Sequence, residues 1–217
     1  MSPANPLLVP STLPYGLPDF SAIRDEHVMP ALEEALRRHT AEIAAIADSP
    51  EEPTAANTVV ALEQSGQDLA RVLGYFYTVA GADATEERLR MEAEISPLLA
   101  QHSDDMYMNP QLFRRIDAVF QTLPESVGSI EAKGGATAAQ LEAETVALVQ
   151  RYHDLFLRHG AGLSAEAQAR VREINAELSQ LSSEFGDNLL KDTQARAVHI
   201  MEECKLAGVD DAQKHFF

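Results

Sequence analysis

With 217 residues, 45% of them hydrophobic and 24% charged, the chain has the make-up of a folded globular protein and not of a disordered one. A formal net charge of −17 argues against nucleic acid and anionic membrane as partners, because phosphate contacts need a basic surface; it suits solubility, or an acidic cavity for cationic ligands. One cysteine, Cys204, makes no internal disulfide, the N-terminus lacks a signal peptide's basic start and apolar core, and no run nears the about 18 apolar residues of a membrane span, so a cytoplasmic protein is expected.

Five of the eleven prolines (Pro3, Pro6, Pro10, Pro14 and Pro18) open the chain, and their missing N–H groups exclude a helix there. Apolar residues between them (Leu7, Leu8, Val9, Leu13, Tyr15, Leu17, Phe20) predict an extended strap over residues 1–24, pinned to a surface. From Pro30, a good first helical position, Leu32, Leu36, His39, Ile43 and Ile46 recur at helical spacing up to the Ser49-Pro50 turn. Asn57 is the expected N-cap of a helix reaching about Ala80, with Leu69, Val72, Leu73, Phe76 and Val79 in one stripe; Gly66 and Gly74 weaken it and Gly81 stops it. Thr85 followed by Glu86 and Glu87 starts a helix that carries Leu89, Ile95, Leu98, Leu99 and His102 towards Met108. Asn109-Pro110 then restarts a helix with Leu112, Phe113, Ile116, Val119 and Phe120. These helices form one subdomain over residues 25–127, and the glycine-rich stretch 128–136 is a loop.

Two longer helices follow. The first, over about 137–159, has Leu141, Leu148, Val149, Tyr152 and Phe156 on one face and Gly160 as its C-cap. The second starts at the N-cap Ser164 and runs to about Thr193, its stripe Val171, Ile174, Leu178, Leu181, Phe185 and Leu189 close to a heptad. Joined by a short turn, they predict an antiparallel helical hairpin over 137–196 whose stripe is a core face. Ala197 to Ile200 is expected to be a short strand within a terminal stub, 197–217. The fold class is all-α.

Zinc peptidase chemistry needs two histidines four apart on a helix with a glutamate after the first, so that the metal acidifies a water and the carboxylate takes its proton. The residues after His27, His39, His102, His153, His159, His199 and His215 are Val, Thr, Ser, Asp, Gly, Ile and Phe, and no two of these histidines are four apart. His199 to Glu203 reads H-I-M-E-E, one residue from the inverted zinc motif, but the last position is a glutamate and the segment has strand character. His39 and His102 lie on apolar stripes as core or boundary histidines, and His153 flanks the face of its helix. No nucleophile elbow, phosphate loop or dinucleotide motif occurs; Cys204 reads as a plain thiol, and Asp104-Asp105, Glu202-Glu203 and Asp210-Asp211 as solvated faces. The residues offer no catalytic group and no metal ligand, and the substrate-binding residues are unknown.

The run from Leu13 to Phe20, with Ile23 and Met29-Pro30-Ala31, resembles the opening of the bacterial peptidyl-dipeptidases, thimet-oligopeptidase-like zinc peptidases related to oligopeptidase A. Pro53-Thr54 with Asn57-Thr58 is similar to the family's "P-T-x-x-N-T" helix entry, Ser96-Pro97 through His102 to its "S-P-x-L-A-x-H", and Asn109 through Ile116 to its "N-x-x-L-F-x-R-I". Arg158 to Leu163, Glu173-Ile174-Asn175, Leu178-Ser179, Phe185 to Thr193 and Leu206 to Val209 continue the series in order. The resemblance implies the N-terminal helical channel wall of a clam-like peptidase that releases dipeptides from the C-terminus of oligopeptides. It also implies that zinc, held by an H-E-x-x-H helix, belongs to a C-terminal half absent from this chain. The chain alone is then expected to be inactive and marginally stable, and that missing half and oligopeptides are its implied partners. The competing expectation is a non-catalytic helical module that binds a peptide or a protein, with the heptad-like stripe as its docking face.

Overall fold

The computed structural model describes residues 5–123, 143–198 and 200–214. The loop expected over 128–136, the first residues of the helix expected over 137–159, His199 and His215 lie outside this set. The chain divides into two compact units, Met1–Gln180 and Leu181–Phe217. Among the described residues all regular structure is helical, and no helix is long and apolar enough to cross a membrane.

In the first unit the strap contains 3-10 turns at Pro6–Leu8 and Pro14–Gly16, where single turns were not expected, because proline is tolerated at the first position of a turn. It is anchored at several points. Leu7 is buried, Arg71 donates to the Leu7 carbonyl at 3.3 Å, and Asn5 donates to the His27 carbonyl at 2.8 Å. Val9, Leu13, Tyr15 and Leu17, expected to help pin the strap, are instead exposed, while Phe20 is half exposed with its ring 5.6 Å from that of Tyr75.

Helix α1 (Val28–Ala47) has Pro30 as its third residue, where an N–H would have no intrahelical partner anyway. The segment expected as one helix from Asn57 to Ala80 is three pieces: a π-helical turn (Ala55–Val60), a single turn α2 (Ala61–Gln64) and α3 (Gln67–Ala82). Its N-cap is Thr54 and not Asn57. The Thr54 hydroxyl accepts from the Asn57 amide at 3.1 Å, while the Asn57 side chain accepts from the Thr54 amide at 2.8 Å, a reciprocal capping box. Gly66 does more than weaken the helix: at φ +70° it breaks it. Gly81, expected to stop α3, lies inside it. Helix α4 (Glu86–Tyr107) starts on the Thr85 hydroxyl, which accepts from the Arg88 amide, and α5 (Pro110–Gln121) on Asn109, which accepts from the Gln111 and Leu112 amides, both as expected. Helix α6 (Ala143–Arg158) ends at Gly160, φ +97°, with Ala161 donating to the Phe156 carbonyl and Gly160 to that of Leu157, a Schellman closure.

Two apolar clusters hold the first unit. Leu7, Val28 and Leu32 meet Val72, Phe76 and Ile95 in one; Ile43 and Ile46 meet Val59, Leu112, Ile116, Val149 and Phe156 in the other. Helix α1 runs through both, its first half in one and its last turns in the other, so it is the axis on which α3, α4 and α5 are placed. Helix α6 seats on α5 and the Ala55–Val60 turn.

Helix α7 (Ala165–Arg196) spans the boundary between the units and has no buried residue. The stripe expected as a core face is exposed at Ile174, Leu178, Leu181, Phe185 (70%) and Leu189. In the second unit Ala197, Val198 and Ile200 have no regular structure in place of the expected strand. A strand needs a neighbouring edge to take its N–H and C=O groups, and the described residues form no sheet. A 3-10 turn (Glu203–Leu206) and a short helix α8 (Asp211–Lys214) follow.

Candidate functional site

In the first unit, polar side chains of α1, α4 and the Ser65-Gly66 junction come together. On α1, His39 lies between Ala35 of one cluster and Ile43 of the other; on α4, His102 lies between Ile95 of the first and Tyr107, which packs against the second. Their rings touch, with His102 Nε2 2.9 Å from His39 Nδ1. His39 Nε2 is 3.1 Å from the Ser65 hydroxyl, and that hydroxyl donates to the Leu62 carbonyl at 2.7 Å. Next to it the Gly66 amide donates to Glu42 Oε2 at 2.7 Å. Burial pushes both imidazoles below their ordinary value of 6.5; the His102 ring presses further on His39, while Glu42 opposes the shift at His39 and Asp105 opposes it at His102.

The other described histidines are engaged separately. His27 Nδ1 accepts from the Arg24 amide at 3.0 Å. His153 is buried, not flanking, with Nε2 3.1 Å from Asp117 Oδ1 and its ring stacked on Phe120 at 3.9 Å. His159 stacks on Tyr107 at 4.1 Å and bonds the Leu155 carbonyl through Nδ1 at 2.7 Å. Cys204 is exposed. Asp104 departs from the reading of Asp104-Asp105 as a solvated face: it is buried and accepts from Asn175 Nδ2 at 2.6 Å, because an inward carboxylate must find a donor.

Donor sets of this kind do not fit zinc. The facing nitrogens of His39 and His102 are joined to each other, and among the described residues no three of His, Cys, Asp and Glu converge.

A second polar feature is a groove of about 420 Å³ lined by Ala47, Asp48, Ser49, Pro53, Gln111, Arg114 and Arg115. The buried Arg115 guanidinium donates through Nη1 to the carbonyls of Ser49 (3.0 Å) and Glu51 (2.8 Å), and through Nη2 to Asn57 Oδ1 (3.3 Å). It pins the loop before the Thr54 cap and leaves Nε unpartnered.

No protein-family model matches the chain. It is 36% identical to the dipeptidyl carboxypeptidase of Escherichia coli over 213 residues, which is 98% of this chain and 29% of that protein. The chain is homologous to the dipeptidyl carboxypeptidases. Their Salmonella typhimurium member is 38% identical over 94% of the chain and 28% of its own length. Oligopeptidase A of Haemophilus influenzae is more distant, at 28% identity over 98% of the chain and 28% of its own length. The chain thus spans under a third of the dipeptidyl carboxypeptidases and oligopeptidase A that it matches, and corresponds to their N-terminal part. The residues that carried the resemblance also carry structure: Thr54 and Asn57 form the capping box, Asn109 caps α5, Arg115 holds the preceding loop and His102 joins α4 to α1.

Proposed function

We propose that this chain builds the N-terminal helical wall of a peptidase that releases dipeptides from the C-terminus of oligopeptides. Zinc and the catalytic groups, in this reading, come from polypeptide outside these 217 residues, and the protein works in the cytoplasm. The observation that carries the proposal is 36% identity to a dipeptidyl carboxypeptidase over 98% of the chain. The uncovered stripe of α7 supports it, since a helix with no buried residue and five exposed large apolar side chains is short of a partner.

The test is dipeptide release from blocked oligopeptides by the purified chain with added zinc, against a chelator-treated control. No difference between the two is expected. Chelator-sensitive release would overturn the assignment of the catalytic groups to other polypeptide. Reading the coding sequence beyond Phe217 supplies the complementary result: an in-frame H-E-x-x-H supports the peptidase wall. A second reading, a non-catalytic helical module that binds a peptide or protein, draws on the same exposed stripe. It gains if no such frame exists and the purified chain captures peptides with zinc absent.

A further inference from the structure

We propose that the His39–His102 contact is an acid-released latch between α1 and α4. The direction of its hydrogen bonds follows from its far end. The Ser65 hydroxyl proton goes to the Leu62 carbonyl, so the Ser65 oxygen accepts from His39, which must carry its proton on Nε2. Neutral His39 then has only the Nδ1 lone pair left, and His102 must donate to it through Nε2–H. Every link from α4 through α1 to the carboxyl end of α2 has one direction.

The pair therefore takes its two protons differently. The first leaves one N–H shared between the facing nitrogens, with His102 protonated on Nδ1 away from the contact, and the bond survives. The second puts an N–H on both facing nitrogens, which then meet head-on. The His39 ring lies close against the Gly66 backbone, since a Cβ built there would come within 3.1 Å of it. The charged groups facing the pair are Glu42 on α1, held by the Gly66 amide, and Asp105 on α4. From α3, Asp68 is already paired with Arg38 and Arg71, and the junction before it presents the Ser65 hydroxyl and Gly66. The two carboxylates ease the first proton and do nothing for the clash made by the second. Burial, which keeps both rings neutral at pH 7 and above, sets the latch closed there and open in acid. Each cluster keeps its own packing when the latch opens, so the release is local.

The test is amide exchange of the whole chain at about pH 7.5 and about pH 4.5, corrected for intrinsic rates, for the chain as it stands and for His102→Gln, whose amide donates to a neutral His39 and, turned over, accepts from a protonated one without itself titrating. At the lower pH the expected result is loss of protection around Ser65-Gly66 and His102, with Val72 and Leu112 unchanged, and retention of that protection in H102Q. Equal loss in H102Q, or loss spread evenly through both clusters, overturns the proposal. Long-range proton–nitrogen spectra of the unaltered chain at about pH 8 give an answer even if H102Q does not fold. His39 and His102 both protonated on Nε2 support the latch, and His39 protonated on Nδ1 sinks it.

Discussion

At Gly66 two constraints coincide, a backbone turned to φ +70° and a His39 ring 3.1 Å from where a Cβ would stand. Gly66→Ala is expected to cost about 1–2 kcal/mol from the backbone conformation alone, whereas Gly74→Ala, in open space inside α3, should gain about 0.5–1 kcal/mol. Urea unfolding of the two variants measures the contrast. Neither residue's neighbours distinguish them in the sequence, since the demand at Gly66 comes from a histidine on another helix. Arg115 is a similar case. Arg115→Met should destabilise by about 1–3 kcal/mol for each loop carbonyl left without a donor, read as a fall in the urea midpoint, because Ser49 and Glu51 then lose their partner. Asp104, in the same way, differs from Asp105 only through Asn175, 71 residues along the chain.

Helix ends were the most legible elements. Thr85, Asn109 and Gly160 act where the residue types say they should, because a cap is satisfied by groups within a few residues of it. The cap at Thr54 escaped detection because Asn57, three residues on, is itself a good cap and here is the other half of a capping box. Thr54→Ala is expected to cost about 1 kcal/mol in thermal or urea unfolding. Asn57→Ala should cost more, since it also removes an acceptor of Arg115. Helix α7 shows the limit of periodicity: its stripe is well formed, but spacing does not say whether anything covers it. Phe185→Ser in this chain should leave the free energy of urea unfolding within about 0.5 kcal/mol of the parent, against a loss of about 3–5 kcal/mol for Phe76→Ala. The difference reflects one exposed and one fully buried ring.

At the largest scale, α2 to α5 of the first unit are organised by α1, whose two ends belong to different apolar clusters. Stability should depend on pH through the contact of α1 with α4. His39 and His102 titrate below 6.5 when folded, so beneath that value the unfolded chain binds more protons than the native one. Their contribution is complete above pH 6.5 and disappears as pH falls through the lower folded values. Urea midpoints across pH 5 to 8 (a range of about three units) should therefore fall on the acid side, with a shallower fall for H102Q. The sequence by itself determined the all-α class, most helix ends, the helical stripes and the kinship with the dipeptidyl carboxypeptidases, because these rest on local geometry and on residues read in order. Only the tertiary structure decided that His39 meets His102, that Gly66 breaks a helix, that Asp104 is buried and that the stripe of α7 is bare. Each of these depends on residues from distant parts of the chain arriving, or failing to arrive, at one place, and no local spacing encodes that arrival.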